Sequence, residues 1–194
     1  LAYCIGIFLS LIVINSSHMI RKGKNLDSRL LTALLIGSCC CCLMEMLSFL
    51  VDEHATTFCK VVSWISNTWI YMANPLVSTL WLLYTDYHLH RKAKRLTTTY
   101  RMHLILLAAS LIVILGNIFG QYLFTIDDQN VYARRPASYS IYVVTVIMLG
   151  SSIVEVIRYR RSHRTAIFFP IWMFLTPVFI GMVIQSLIYG ISLG

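Results

Sequence analysis

MHLILLAASLIVILGNIFGQYLF, residues 102–124, runs for 23 residues without an Asp, Glu, Lys or Arg. A helix needs about 20 apolar residues to cross the hydrocarbon of a bilayer. The apolar positions here are continuous rather than alternating, so the stretch predicts a helix and not a barrel strand. Segments of the same kind lie on either side, and the spacing predicts six helices over 1–20, 29–51, 59–86, 102–124, 138–158 and 166–190. Composition agrees. Of the 194 residues, 58% are hydrophobic and 12% charged, where a soluble domain carries roughly a quarter charged. The fold class is therefore all-α: a polytopic transmembrane helix bundle, organised as a single domain over 1–194. No internal repeat is visible, so an inverted-repeat transporter finds no support.

Lys and Arg set the expected orientation. Arg21, Lys22, Lys24 and Arg29, then Arg91, Lys92, Lys94, Arg95 and Arg101, then Arg158, Arg160, Arg161 and Arg164 fall on one side of the six spans, 13 of 16 basic residues. Lys60, Arg134 and Arg135 fall on the other, offset by Asp52, Glu53, Asp127 and Asp128. The first side is expected in the cytoplasm and the N-terminus outside. The net charge of +8 then matches anionic lipid headgroups rather than nucleic acid. No basic residue precedes 1–20 and no small-residue cleavage site follows it, so it reads as a span and not a signal peptide. The chain opens without Met, from which residues upstream are expected. Six spans from an outside start leave Gly194 outside too, and a seventh helix is expected beyond it.

Polar groups within spans are the candidates for function, because hydrocarbon is a costly place for them. At 1.5 Å per residue, Glu45 lies roughly 9 Å below the outer end of its helix, Asn67 about 12 Å, Asn117 and Thr145 about 10 Å, and Gln185 about 8 Å. Gln121 and Tyr142 fall one turn above this layer. Trp64, Asn67, Tyr71 and Asn74 step by three, four and three along one helical face. Together these side chains suggest an outward-open pocket for a small ligand, with Glu45 its only acid. The plainer reading is that Asn, Gln and Thr bond helix to helix, at about 0.6 kcal/mol each. No basic residue is expected at the level of Glu45, so it should be protonated or face water. Pro75 and Pro177 lie inside helices, where each removes a backbone bond and supplies a candidate hinge. Glu155, about one turn before Arg158, is expected to snorkel or pair with loop arginines. Asp86, which ends its helix above the basic loop, could lock a helix-end contact that changes on signalling, but the favoured expectation is a solvated interfacial acid.

Several classes are excluded by what the motifs lack. Cys39 to Cys42 point all around one helix and cannot form one metal site; they fit as small buried hydrophobes. No HExxH, zinc-type Cys pairing, GxSxG or glycine-rich phosphate loop occurs. Neither a catalytic constellation, a cofactor nor a metal is expected.

Three stretches carry a family resemblance: WLLYTDYHL (81–89) running into Arg91-Lys92-Ala93-Lys94-Arg95; Ala133-Arg134-Arg135-Pro136 with aromatics after it; and FPIWMFLTP (169–177) followed by Ile180-Gly181 and QSLIYGISL (185–193). Together they resemble the N-terminal seven-helix sensory domain of Firmicutes signalling proteins. There it precedes a cytoplasmic GGDEF diguanylate cyclase domain, and related domains precede histidine kinases. The resemblance spans essentially the whole chain. It implies a seventh helix, a ligand-controlled output in the cytoplasm and a homodimer in a bacterial cell membrane. No GGDEF sequence is present, so this segment cannot make cyclic di-GMP. The alternatives to a sensor are a transporter or channel, whose polar residues should run through both halves of the bundle, and a passive anchor or dimerisation module, for which two helices would suffice.

Overall fold

The computed structural model describes residues 25–162. The chain divides into two compact units, 1–157 and 158–194; the contacts below belong to the first. Helix α1 (Leu26–Val51) leads through a short turn into the long α2 (Thr57–His90), then come the short α3 (Ala93–Thr99) and α4 (Arg101–Gly120). A two-stranded hairpin follows, β1 (Phe124–Ile126) and β2 (Tyr132–Arg134), then a single 3-10 turn at Pro136–Ser138 and α5 (Tyr139–Ser162).

Three described segments are long and apolar enough to cross a membrane: α1, α4, and Pro136–Ser162 with α5. Only 11% and 17% of the apolar windows of α1 and α4 are buried within the fold, so their apolar residues face outward, as lipid contact requires. The expected spans 29–51, 102–124 and 138–158 correspond to α1, α4 and the segment that holds α5, whereas 59–86 is helical, as α2, but is not one of the three segments apolar enough to cross. Those over 1–20 and 166–190 lie outside the described residues.

Helix α2 has the opposite character. It buries Ser63, Ser66, Asn67, Ser78, Thr79, Thr85 and Asp86. Each hydroxyl placed one turn above a carbonyl can return its proton to the backbone: Ser78 Oγ donates to Asn74 O at 2.6 Å and Thr79 Oγ1 to Pro75 O at 2.7 Å. Bonds of this kind satisfy several of the buried polar groups of α2, while Thr85 Oγ1 and Asp86 Oδ2 are buried without a hydrogen-bond partner among the described residues. α2 packs along α1 and also touches α3, α4 and β1, so it is the central element. It continues through Pro75 as one helix.

Local signals explain the ends. The Thr56 side chain caps α2 by accepting from Cys59 N at 3.2 Å. α2 stops where Arg91 adopts a left-handed conformation (φ 55°) and its N–H bonds Tyr87 O at 2.8 Å. α4 ends at Gly120, four residues before the expected boundary, because Gln121 turns left-handed (φ 48°). The residues after it form the hairpin, in register Phe124↔Arg134, Thr125↔Ala133 and Ile126↔Tyr132. Its turn is tied by Asp127 Oδ1, which accepts from Gln129 N at 2.9 Å and Val131 N at 2.8 Å. Asn130, fully buried, bonds Val51 O through its amide and fixes the hairpin to the α1–α2 turn.

Candidate functional site

Two polar centres lie along α2, one against the hairpin near mid-helix and the other close to the C-terminal end. Tyr71 and Asp86 are 15 positions apart, about 22 Å along the helix.

At the hairpin end, the step of two along β2 puts Tyr132 and Arg134 on one face and leaves Ala133 exposed on the other. That face packs on the bundle. Tyr71 is 3% exposed and its hydroxyl lies 2.8 Å from that of Tyr132. Phe124, fully buried, stacks on Tyr71 with centroids 5.4 Å apart and also meets Trp64 at 4.8 Å. The Arg134 guanidinium carbon stands 5.2 Å from the centre of the Tyr142 ring, a cation–π contact. Half-buried Glu45 acts electrostatically on that same tyrosine. Outside the helices, burial pushes the Tyr132 phenol above its ordinary range.

The structure thus brings Tyr71 and Tyr142 together and sets Glu45 within electrostatic reach. It uses the other candidates differently. Asn67 turns to α1: its Nδ2 donates to Ser48 Oγ at 3.1 Å and to Ser63 O at 2.8 Å. Asn117 ties the hairpin to α4, its Oδ1 accepting from Leu123 N at 2.7 Å and its Nδ2 donating to Phe124 O at 3.3 Å. Thr145 Oγ1 returns its proton to Ile141 O at 3.0 Å. Gln121 is the exposed end cap of α4 rather than an interior helical position. Gln185 and Pro177 lie outside the described residues. Arg134, which falls between the expected spans, brings a basic group to the tyrosine on which Glu45 acts. The alternation Tyr132-Ala133-Arg134 ahead of Pro136 was the available signal for it.

The other centre lies beside the basic loop. Asp86 is fully buried, which corrects the expectation of a solvated acid. Its Oδ1 accepts from Arg95 Nε at 2.8 Å and from the Tyr100 hydroxyl at 3.1 Å. Arg95 Nη2 also bonds Glu155 Oε1, so one guanidinium joins α2 to α5, and Glu155 pairs with a loop arginine as expected. His90 Nε2 lies 2.9 Å from Glu155 Oε1 and 3.9 Å from Asp86 Oδ1. A neighbouring group ties α2 to α1: Asp27 meets His88 Nδ1 at 3.2 Å and Arg91 Nη1 at 3.0 Å. The hydrogen bond to Asp86 holds the Arg95 guanidinium above its ordinary range. Burial, with the Asp86 and Glu155 charges, pushes the Tyr100 phenol up.

Asp86, His90 and Glu155 each offer a donor atom within 4.8 Å of the others, the spacing a metal ion would use. Arg95 already holds both carboxylates. The group is an ion-pair cluster whose cation is a guanidinium, not a set of metal ligands.

Comparison with known proteins finds no match among family models, curated proteins or solved structures.

Proposed function

We propose that the chain is the membrane-embedded sensory domain of a bacterial signalling protein. It binds a small extracytoplasmic ligand at the hairpin end and passes the change to a cytoplasmic output domain. The observation that carries this reading is the construction of α2. One continuous helix holds Tyr71, bonded to the hairpin, and Asp86, locked to Arg95 and through it to Glu155. A ligand that favours one placement of the hairpin would bias the seating of α2, and its differential affinity for the two placements sets the size of the response. The resemblance to seven-helix sensory domains points to a diguanylate cyclase as output, and to a homodimer. The charge distribution supports six spans within this chain, an outside N-terminus and a cytoplasmic basic loop.

The test is thermal stability of the purified chain against a panel of small amines, carboxylates and sugars, for the wild type, Glu45→Gln and Tyr142→Phe. A ligand selective for the native state raises the melting temperature. A compound that stabilises the wild type and neither variant supports the site. A panel without effect, with both variants as stable as the wild type, would return the hairpin end to a purely structural role. Orientation is checked with an impermeant maleimide on cells carrying Lys94→Cys or Asp128→Cys in a background with native cysteines replaced. Only Asp128→Cys should react from outside.

A further inference from the structure

Helix α3 and its flanks divide their side chains between two faces. Leu96 is buried, Arg95 reaches inward to Asp86, and Tyr100 is buried against the same carboxylate. Lys92, Lys94 and Arg101 are exposed. Among the described residues none of these three is ion-paired, and the neighbouring Arg91 serves Asp27 instead. The inward contacts therefore hold α3 on the bundle with three cations standing outward. Its seven residues span only about 10 Å, which keeps those cations close together. The surface beside them shows what they meet. Arg101 opens α4, a segment long and apolar enough to cross a membrane. Met102, Ile105, Ile112 and Phe119 follow at steps of three, seven and seven, along one helical face. They are 73%, 53%, 72% and 92% exposed. This open apolar stripe is about 25 Å long, close to the thickness of bilayer hydrocarbon. It begins at the residue after Arg101, so the cations stand where hydrocarbon gives way to headgroups, the level that long basic side chains reach.

We propose that the outer face of α3 and the start of α4 form a binding surface for anionic phospholipid. Lys92, Lys94 and Arg101 meet the negative headgroup, and the stripe from Met102 onward meets the acyl chains. The partner must carry both parts: a free anion would leave the stripe bare, and a neutral lipid would leave the cations unmatched. Arg95 on the same short helix joins Asp86 to Glu155. A lipid held on the outer face therefore steadies the element that links α2 to α5. The surface depends neither on a ligand at the hairpin end nor on which side of the membrane α3 lies.

The experiment is native mass spectrometry of lipid adducts on the full chain in neutral detergent, with phosphatidylglycerol and phosphatidylcholine of identical acyl chains. The first adduct is expected to form about tenfold or more tightly with phosphatidylglycerol. A basic residue near an anionic surface contributes about 1 kcal/mol, which is about fivefold in affinity. Lys92→Gln, Lys94→Gln and Arg101→Gln should each weaken phosphatidylglycerol binding by about that factor and leave phosphatidylcholine unchanged. Lys60→Gln, whose lysine pairs with Asp128 of the hairpin turn, should change neither. Free glycerol 3-phosphate should not displace the lipid. A wild-type preference under about twofold, glutamine variants that bind as the wild type does, a Lys60→Gln that weakens binding as they do, or displacement by glycerol 3-phosphate overturns the proposal. Where the glutamine variants fail to fold, salt carries the test in the wild type. The preference must fall about fivefold or more between about 0.05 M and about 0.5 M salt, and a preference that survives overturns the proposal.

Discussion

Replacing Arg95 with Met removes one cation and strands two acids. Asp86 is fully buried and the Glu155 side chain is 10% exposed, so neither recovers hydration while the fold persists. Opposite charges about 4 Å apart attract by about 4 kcal/mol at an effective dielectric near 20. The Arg95 side chain is 32% exposed, so solvent screens part of this. Breaking a buried pair by deleting one partner costs about 3–5 kcal/mol. Proton uptake limits the loss: at pH 7 a carboxyl of ordinary affinity is neutralised for about 4 kcal/mol, less about 1.4 kcal/mol for each unit of acidification. The expected loss for Arg95→Met is therefore about 3–4 kcal/mol at pH 7 and about 1–2 kcal/mol at pH 5. Arg95→Lys keeps a charge but loses the fork that reaches both acids, and falls between. Adding Asp86→Leu and Glu155→Met to Arg95→Met removes the stranded charges and should restore most of the stability. Reversible unfolding in mixed micelles, followed by fluorescence of the tryptophans, measures each value. A loss under about 1 kcal/mol at pH 7, or one that does not shrink at pH 5, refutes the assignment of Arg95 as the cation of a buried cluster.

Three further perturbations follow from particular contacts. A Cβ added at Gly120 would stand 2.5 Å from the Tyr122 ring, whose hydroxyl bonds Val113 O at 2.8 Å. Gly120→Ala should therefore cost about 1–2 kcal/mol in the wild type but become neutral, or stabilising by up to about 1 kcal/mol, beside Tyr122→Ala, as unfolding of the four variants in a double-mutant cycle would show. Asn117→Ala leaves the buried Leu123 N–H without its acceptor and should cost about 2 kcal/mol, with faster exchange at Leu123 by NMR. Burial raises the Asp52 carboxyl, with the Glu53 charge adding to it. A raised acid favours the fold while protonated, so this contribution is complete below the unfolded value of 3.8 and is lost as pH rises through the higher folded value. Asp52→Asn should flatten that part of the melting-temperature profile.

The long helices were legible because their apolar runs exceed anything a soluble core would need. The hairpin was not, because three-residue strands carry almost no period, and Phe124 and Leu123 extend the apolar run of α4. Only the Gly120–Gln121 stop and the Asp127–Asn130 turn mark the change. Counting residues sets how far each polar group stands along its helix, but that distance says nothing about direction around it. Asn117 and Asn67 were therefore grouped with Tyr71, although one serves the hairpin backbone and the other serves α1. Asp86 was misread for a different reason. Its partner Arg95 lies nine positions later, and it returns only because Arg91 turns left-handed and α3 reverses the chain beneath α2. Nothing in a count of charges predicts that reversal.

The central helix buries more polar side chains than the other long ones, and in a membrane-embedded bundle that would be a reason for it to be central. Lipid is as apolar as leucine, so apolar faces alone give helices little cause to associate, and hydrogen bonds and close packing must do so. α2 supplies both along its length. Asn67 reaches α1, Tyr71 reaches the hairpin, Asp27 reaches His88 from α1, and Arg95 joins Asp86 to Glu155 on α5. Pro75 interrupts this helix one turn from Tyr71 and cannot donate to the Tyr71 carbonyl. The backbone is thus one bond short beside the contact with the hairpin, while the far end is clamped by charge to three neighbouring elements. A displacement beginning at the hairpin would meet its least resistance at Pro75 and its greatest at Asp86. Under the proposed sensory reading, the charged clamp would have to give for a change at the hairpin to reach the basic loop, and the ion-pair cluster would be the point at which α2 either transmits or absorbs the motion.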